Sequence, residues 1–422
     1  MKDQIAFFFP PFGPPRPWGR PLAFTLLLVF SLSLPFSLLA QEEGALTLQQ
    51  VVSQVLAVHP LTQAARARVQ AALGMVRQAR AYANPAFTFT NNEATEERTY
   101  GLTQSLEWPF KRTYRIGVAE AEEQVAEGEQ NSARQEVIAA AREAFLSALL
   151  AQEGNRVAEA FVEATQQLRR STEKLFQEGD IAEFEVVKAG VEAMRAETDL
   201  EKARGQLKTA LAGLNLLLAR AEDSPLALAS SLLALPPVRS MAELFPLAEE
   251  QNPLLIAQRR MVEKERLNLK LAWASLVPDF SIDAARGEAE EGVGPLVGLT
   301  FSFPLWDRKE GAIASARSKV AEAEATLQAT QLRVRQTLLK AYRDWEVASR
   351  QVDAFAKGLV VQAEQAAALA EHSYREGEGD LLGVLDAERS LLSVRRDYAQ
   401  ALFDMQLAWV TVERAAGIGT DQ

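Results

Sequence analysis

The chain has 422 residues, of which 48% are hydrophobic and 24% charged, and its formal net charge at pH 7 is -11. The apolar content excludes a mainly disordered protein. The acidic balance argues against nucleic-acid binding, because affinity for phosphate backbones requires clustered Lys and Arg. The absence of cysteine excludes disulfides and fits an oxidising cell envelope.

The N-terminal segment has the pattern of an export signal. Three basic residues precede an apolar run at 22–39, and this run gives way at Ala40 to the polar sequence QEEG. The pattern predicts a signal peptide over residues 1–40, cleaved before Gln41. The alternative is an uncleaved membrane anchor, since a run of this length would just span a bilayer. No later stretch is apolar enough for a membrane-spanning helix, so any further crossing is expected to use strands.

Proline placement predicts where long helices lie. All 18 prolines lie outside two stretches, 110–224 and 305–422. Because proline breaks helices, such stretches favour helices that run far beyond the size of a compact domain, about 90 Å for 60 residues. Apolar residues in these stretches recur mainly at steps of seven, which is typical of packed, nearly straight helices. The predicted long helices are 113–177, 181–220, 309–374 and 381–415.

The chain consists of two similar halves. The sequence FQEGDIAEFEVVKA at 176–189 corresponds to YREGEGDLLGVLDA at 374–387, and further matches occur in the same order in both halves. This order indicates a duplication, with a first repeat over 41–225 and a second over 226–422. Each repeat is predicted to contain a helix, a strand pair and two long helices.

The predicted strand pairs, 84–108 and 279–304, alternate apolar and polar residues. Trp108 and Trp306 follow the returning strands. They fit either an aromatic belt at a membrane surface or packing of each tryptophan on a helix end. Four strands cannot satisfy all their backbone groups in a bilayer as an open sheet, so a membrane location requires several chains to close one barrel.

These features together resemble the TolC family of outer-membrane efflux channels. The duplicated halves and the twin corners at 176–189 and 374–387 account for the resemblance. The compact length is most like the CzcC-type heavy-metal efflux branch. The resemblance implies a mainly α fold with a small β part. Duplicated long-helix hairpins would form a trimeric α-helical barrel, and four strands per protomer would contribute to a 12-stranded outer-membrane β-barrel.

The resemblance also implies a localisation and a set of partners. The protein would be a homotrimer in the cell outer membrane, in contact with its lipid, with a helical tunnel in the periplasm. A periplasmic adaptor (membrane-fusion) protein and an inner-membrane pump of the RND type would complete a tripartite efflux system.

The two corners would be the periplasmic tips that contact the adaptor. Gly179 and Gly377 are expected in the left-handed conformation that ends a helix. Asp180 and Asp380 are expected to cap the N-termini of the following helices. The implied tip residues are Glu178, Gly179, Asp180, Gly377, Glu378, Gly379 and Asp380.

The resemblance further implies a gate. A family tyrosine that hydrogen-bonds a carboxylate of the neighbouring hairpin corresponds to Tyr374, and its partner corresponds to Glu185. An arginine that assists this latch is replaced by Gly379. Of two carboxylates that narrow the entrance, one is replaced by Gly383 and the other is Asp386, so a weaker gate is expected.

Two interpretations of Asp386 are open. As one residue per protomer around a threefold axis, it would form a ring of like charges that attracts cations. Alternatively, it is an exposed helix residue paired with Arg389 or Arg333.

No catalytic, cofactor or metal site is predicted. His59 and His372 have no partner at ligand spacing, and the sequence lacks a phosphate-binding glycine loop and a GxSxG motif. The sequence therefore predicts a non-enzymatic protein that conducts its substrate passively. A periplasmic adaptor or coiled-coil scaffold held by an uncleaved N-terminal anchor is the alternative, which the two duplicated hairpins disfavour. Metal ions, drugs and secreted polypeptides are all compatible with this fold.

Overall fold

The computed structural model describes residues 45–92, 97–233, 239–288, 294–303 and 305–419. The signal peptide predicted for residues 1–40 lies outside these ranges.

The helices and strands follow the same order in both halves. The first half contains α1 (Leu48–Val58), α2 (Pro60–Arg80), β1 (Ala86–Asn92), β2 (Glu97–Leu106), α3 (Pro109–Glu178) and α4 (Glu183–Leu217). The second half contains α5 (Met241–Gln251), α6 (Pro253–Ala274), β3 (Phe280–Glu288), β4 (Pro295–Phe301), α7 (Glu310–Ala354), α8 (Val360–Arg375) and α9 (Leu381–Ala416). The prediction of a mainly helical chain with a small β part is confirmed.

The short helices of the two halves begin in the same way. His59 and Asn252 are N-caps whose side chains accept hydrogen bonds from backbone amides, and Pro60 and Pro253 occupy the first helical positions. Proline is tolerated there because its missing N–H has no partner in the first turn. Equivalent caps at equivalent positions fix where the chain turns from α1 into α2 and from α5 into α6.

The long helices extend far beyond a compact domain. Helix α3 has 70 residues and is therefore about 105 Å long. It begins at Pro109, earlier than the predicted residue 113, because proline is accepted at the first helical position. The helix predicted at 309–374 is instead α7 and α8 joined by a π-helical turn, Phe355–Leu359. An apolar repeat does not reveal this change of hydrogen-bond register.

The four strands form one antiparallel sheet in the order β1-β2-β3-β4. Leu102 of β2 pairs with Phe87 of β1 and with Ala284 of β3. Ile282 of β3 pairs with Leu299 of β4. Because alternate residues face the same side, this register gathers the apolar side chains on one face. Strands β1 and β4 each have one edge without a partner among the described residues.

A buried lysine joins the two halves below the sheet. Lys111, near the start of α3, is 5% exposed. Its Nζ donates to the Val277 carbonyl and to Asp279 Oδ1, both at 2.6 Å. Trp108 packs beside it, with its indole nitrogen donating to the Pro278 carbonyl at 2.7 Å. Trp306, in contrast, is 93% exposed, so the two tryptophans have different surroundings.

Buried apolar side chains lie in separate clusters along the helices. One cluster joins α1 and α3 to α9, and a second joins α5 and α7 to α9. A third lies beside the corners and contains Leu168, Ala189, Tyr374, Leu381, Val384 and Leu385. Among the described residues, no helix is both long and apolar enough to cross a bilayer.

Candidate functional site at the helical corners

The first corner ends α3 with a left-handed glycine. Gly179 has φ 84°, and its amide donates to the Phe176 carbonyl at 3.0 Å. The Asp180 amide donates to the Leu175 carbonyl at 3.0 Å. This pair of bonds is a Schellman motif, which satisfies carbonyls at the helix end and needs the conformational freedom of glycine.

The second corner ends α8 in the same way. Gly377 has φ 74°, and its amide donates to the Tyr374 carbonyl at 3.2 Å. Helix α9 then begins after Asp380, whose Oδ1 accepts from the Gly383 amide at 2.9 Å. The predicted left-handed conformations of Gly179 and Gly377 and the predicted N-cap of Asp380 are therefore confirmed.

The predicted N-cap role of Asp180 is wrong. The N-cap of α4 is Ala182, which makes no side-chain capping bond. At the offset that aligns Gly179 with Gly377, Ala182 is the equivalent of Asp380. Asp180 lies two residues earlier, inside the Schellman turn, and is too early in the chain to cap α4.

Two glycines of the second corner have little room for a side chain. A Cβ at Gly379 would lie 3.2 Å from the Tyr374 amide nitrogen. A Cβ at Gly383 would lie 3.0 Å from Asp380 Oδ1. Both distances are tight for a carbon atom, so this corner fits closely around glycine. An arginine or aspartate at these positions would require the turn or the cap to shift.

Tyr374 and Glu185 are brought together by the fold. The Tyr374 hydroxyl donates to Glu185 Oε2 at 3.3 Å, which links α8 of the second half to α4 of the first. Tyr374 is 3% exposed. Burial raises the pKa of Tyr374, and the negative charge of Glu185 raises it further. The phenol therefore remains a neutral donor throughout the physiological range.

A second link between the halves lies two helical turns further along α4. Arg389 of α9 donates from Nε to Glu192 Oε1 at 2.8 Å and from Nη2 to Glu192 Oε2. The Glu192 side chain is 8% exposed. Hydrogen bonding from Arg389 lowers the pKa of Glu192 despite the opposing effect of burial. A bidentate arginine–carboxylate pair is both strong and directional.

Sequence reasoning missed Glu192. Its spacing of seven residues from Glu185 places the two carboxylates on one face of α4. That spacing was one signal that Glu192 faces a partner. A second signal is that this carboxylate lies among small apolar residues in a heptad pattern.

Asp386 does not join this network directly. It is exposed on α9, and the described residues provide no ion pair for it within 4.0 Å. The suggested partner Arg389 binds Glu192 instead. The hydrogen bond to Glu192 is the main reason that the pKa of Arg389 is raised, and the negative charge of Asp386 raises this pKa further. The carboxylate of Asp386 is thus free to face a neighbouring molecule or an aqueous channel.

The predicted tip residues are all exposed. Glu178 forms a 3.8 Å ion pair with Lys174. Large apolar side chains surround the acidic turns, with Phe184 71% exposed and Leu382 55% exposed. In the part of the chain that the structure describes, no group of His, Asp or Glu side chains could hold a metal ion.

Comparison with known proteins gives the family. The model of the outer membrane efflux protein family matches residues 51–220 and 244–418. The cobalt-zinc-cadmium resistance protein CzcC of Cupriavidus metallidurans is 27% identical over 380 residues, covering 89% of this chain and 90% of CzcC. The alkaline protease secretion protein AprF of Pseudomonas aeruginosa is 25% identical over 364 residues, covering 80% of this chain and 74% of AprF.

A solved structure shows the same fold. The outer membrane protein VceC of Vibrio cholerae superposes with a TM-score of 0.73 at 20% identity, covering 89% of this chain and 97% of VceC. The family match includes both halves with their helical corners, which excludes the adaptor and scaffold alternatives. The chain therefore belongs to the outer membrane efflux protein family and acts in efflux at the outer membrane.

Proposed function

We propose that three copies of this chain form a passive exit duct. The single observation on which this proposal rests is the amphipathic four-stranded sheet, whose two outer edges have no partner strand in the part of the chain that the structure describes. An edge of this kind is not stable in lipid, because each unpaired group costs several kcal/mol there. Pairing β1 of one copy with β4 of the next removes every edge and gives a closed barrel of twelve strands, with the apolar face toward lipid.

The long helices then continue the duct into the periplasm, and the corner residues form its gate. Tyr374–Glu185 and Arg389–Glu192 both tie the second hairpin to α4 of the first. Opening requires α8 and α9 to move away from α4, so both links must break. Asp386 is the residue left to narrow the entrance as a ring of carboxylates.

The tips are the proposed contact with a periplasmic adaptor, which connects the duct to an inner-membrane pump of the RND type. The exposed acidic turns beside Phe184 and Leu382 support this assignment, because apolar side chains within a polar rim are typical of protein contact surfaces. The chain itself needs no catalytic chemistry, since the pump supplies the energy.

Heavy-metal cations are the substrate class to test first. The cobalt-zinc-cadmium resistance protein matches more of this chain than the protease secretion protein does. We do not propose that the duct selects cations by binding them to ligand atoms. The exposed carboxylate of Asp386 acts through its charge alone.

The test is the state of the full chain in outer-membrane fractions. We expect a trimer that dissociates on heating in detergent, a mature N-terminus near Gln41, and ion conduction in planar bilayers. A soluble monomer, or a trimer that does not conduct, would contradict the proposal.

A further inference from the structure

The two faces of the sheet differ sharply in chemistry. On one face, the middle of every strand is apolar, and Phe87–Leu102 and Ile282–Leu299 are cross-strand pairs on this face. The other face consists mainly of small and hydroxyl-bearing residues. These include Thr88, Gly101, Thr103, Ser281, Gly298 and Thr300.

Asp283 is the charged residue of this polar face, among the side chains that the structure describes. It lies near the middle of β3, between Thr103 on β2 and Gly298 on β4. Its Oδ2 accepts hydrogen bonds from the Thr300 hydroxyl at 2.7 Å and from the Ser281 hydroxyl at 3.3 Å. A Cβ at Gly298 would meet no atom within 4 Å, so the space before the carboxylate is open.

Among the described residues, Asp283 takes part in no ion pair. The described ion pairs nearest in sequence involve Asp279 with Lys111 and Asp307 with Lys309. Arg286 is separated from Asp283 by three positions and lies on the apolar face. The hydroxyl donors hold the carboxylate in place without neutralising its charge, and a fixed uncompensated charge attracts mobile counter-ions.

We infer that Asp283 lines the lumen of the strand barrel and makes the outer half of the duct selective for cations. This inference rests on the proposed trimer, in which each copy contributes one such carboxylate. It assigns a second charged ring, separate from the ring of Asp386 at the opposite end of the long helices. A divalent metal cation leaving the duct would pass this ring last.

The effect of the Asp283 ring on passing ions depends on the distance of its carboxylates from the barrel axis. A barrel of twelve strands spaced by about 4.8 Å and tilted by about 40° has a backbone radius of about 12 Å. The carboxylates would then lie about 9 Å from the axis, which is close to the Debye length of about 10 Å at 0.1 M salt and well inside the 30 Å at 0.01 M. Selectivity from Asp283 should therefore be weak at high salt and clear at low salt.

The absence of cysteine allows a direct test of the face assignment. Full-length Asp283→Cys trimers in liposomes would be treated with a charged, membrane-impermeant methanethiosulfonate reagent, and labelling would be measured by mass. Ile282→Cys is the matched control on the adjacent, apolar face. We expect Asp283→Cys to react and Ile282→Cys to react only after denaturation. The reverse pattern would overturn the inference.

The second test measures charge rather than access. Reversal potentials of the Asp283→Asn channel in a KCl gradient should show a cation-to-anion permeability ratio about twofold lower than wild type near 0.01 M, and little change near 1 M. Labelling Asp283→Cys with an anionic reagent should restore the ratio, and a cationic reagent should lower it further. Folded, conducting trimers with an unchanged ratio at low salt would refute the inference alone. Wild-type protein without trimers or conduction would instead refute the proposed duct.

Discussion

In the ion pair between Glu192 and Arg389, the Glu192 side chain is almost fully buried and the Arg389 side chain is 45% exposed. Removing one member of such a pair leaves the other unpaired, and the cost is larger on the buried side. Because Nε and Nη2 of Arg389 both bind the same carboxylate, the pair fixes the distance between α4 and α9. The sequence did not reveal this contact, since ion-pair partners 197 residues apart are determined by tertiary packing.

We expect strong coupling between Glu192 and Arg389 in a double-mutant cycle. Glu192→Gln and Arg389→Gln should each speed amide exchange in α9 near residue 389 by about 10- to 100-fold, which corresponds to 1–3 kcal/mol of local opening free energy. The double variant should exchange little faster than either single one. Hydrogen–deuterium exchange of the purified trimer measures all three.

Arg195→Gln is the matched control for this cycle. Arg195 is 69% exposed and lies 3.8 Å from the same carboxylate, a geometry that contributes at most about 1 kcal/mol. An effect of Arg195→Gln equal to that of Arg389→Gln would show that charge near Glu192 matters and that the bidentate contact does not.

The same link should weaken in acid. The pKa of Glu192 is lowered in the folded protein by the hydrogen bonds from Arg389, so the folded state binds this proton less tightly than the unfolded state. Its stabilising effect is complete above the ordinary carboxyl pKa and disappears as the pH falls through the lowered value. Exchange rates of wild type and Arg389→Gln should therefore converge on acidification. A difference that persists below the lowered pKa would contradict the assigned role.

At the scale of elements, the two corners show what sequence comparison can and cannot predict. Glycine positions were predictable, because a left-handed helix end strongly favours glycine. The N-cap of α4 was predicted wrongly at Asp180, although the offset that aligns the two glycines makes Ala182 the equivalent of Asp380. The first corner reaches α4 through Ala182, whereas the second reaches α9 through Asp380. Homologous corners therefore differ in how firmly the following helix is started.

This difference predicts unequal effects of the same substitution. Asp380→Ala should destabilise the first turn of α9 by about 0.5–2 kcal/mol, because the Gly383 amide loses its acceptor. Asp180→Ala, the matched control, should change the first turn of α4 by much less, because Asp180 makes no cap. Exchange of amides in 381–385 and 183–187 gives both values. Equal losses at the two corners would contradict the assignment of the caps.

At the scale of the whole molecule, the sequence predicted most of the architecture. Helix length and strand alternation are local properties of the sequence, and the duplication showed that they occur twice. The order of the sheet and the π-helical turn required the structure. The structure also gives the distance between Tyr374 and Glu185, a contact that the family resemblance had implied. The proposed gate depends on the tertiary structure, since its two links join residues of different halves.

The final prediction concerns the gate as a unit. Tyr374→Phe with Glu185→Gln removes the hydroxyl donor and the carboxylate charge, while the apolar packing around the ring is retained. Because Glu192–Arg389 still joins α4 to α9, this variant should raise single-channel conductance only modestly. Adding Arg389→Gln removes the second link, and conductance should then rise further than the sum of the two separate effects. Links that act in parallel release the hairpin only when both are broken.

Planar-bilayer recording of heat-labile trimers measures this conductance. Glu183→Gln is the matched control, because Glu183 is exposed on the same turn of α4 as Glu185. The substitution removes one negative charge near the tip and leaves both links intact. Its conductance should equal that of wild type. If Glu183→Gln opens the channel as far as the triple variant does, charge at the tip controls the gate and the two links do not. If the triple variant conducts as wild type does, α8 and α9 are held by the apolar cluster around Leu381 and Leu385, and the polar links only set their register.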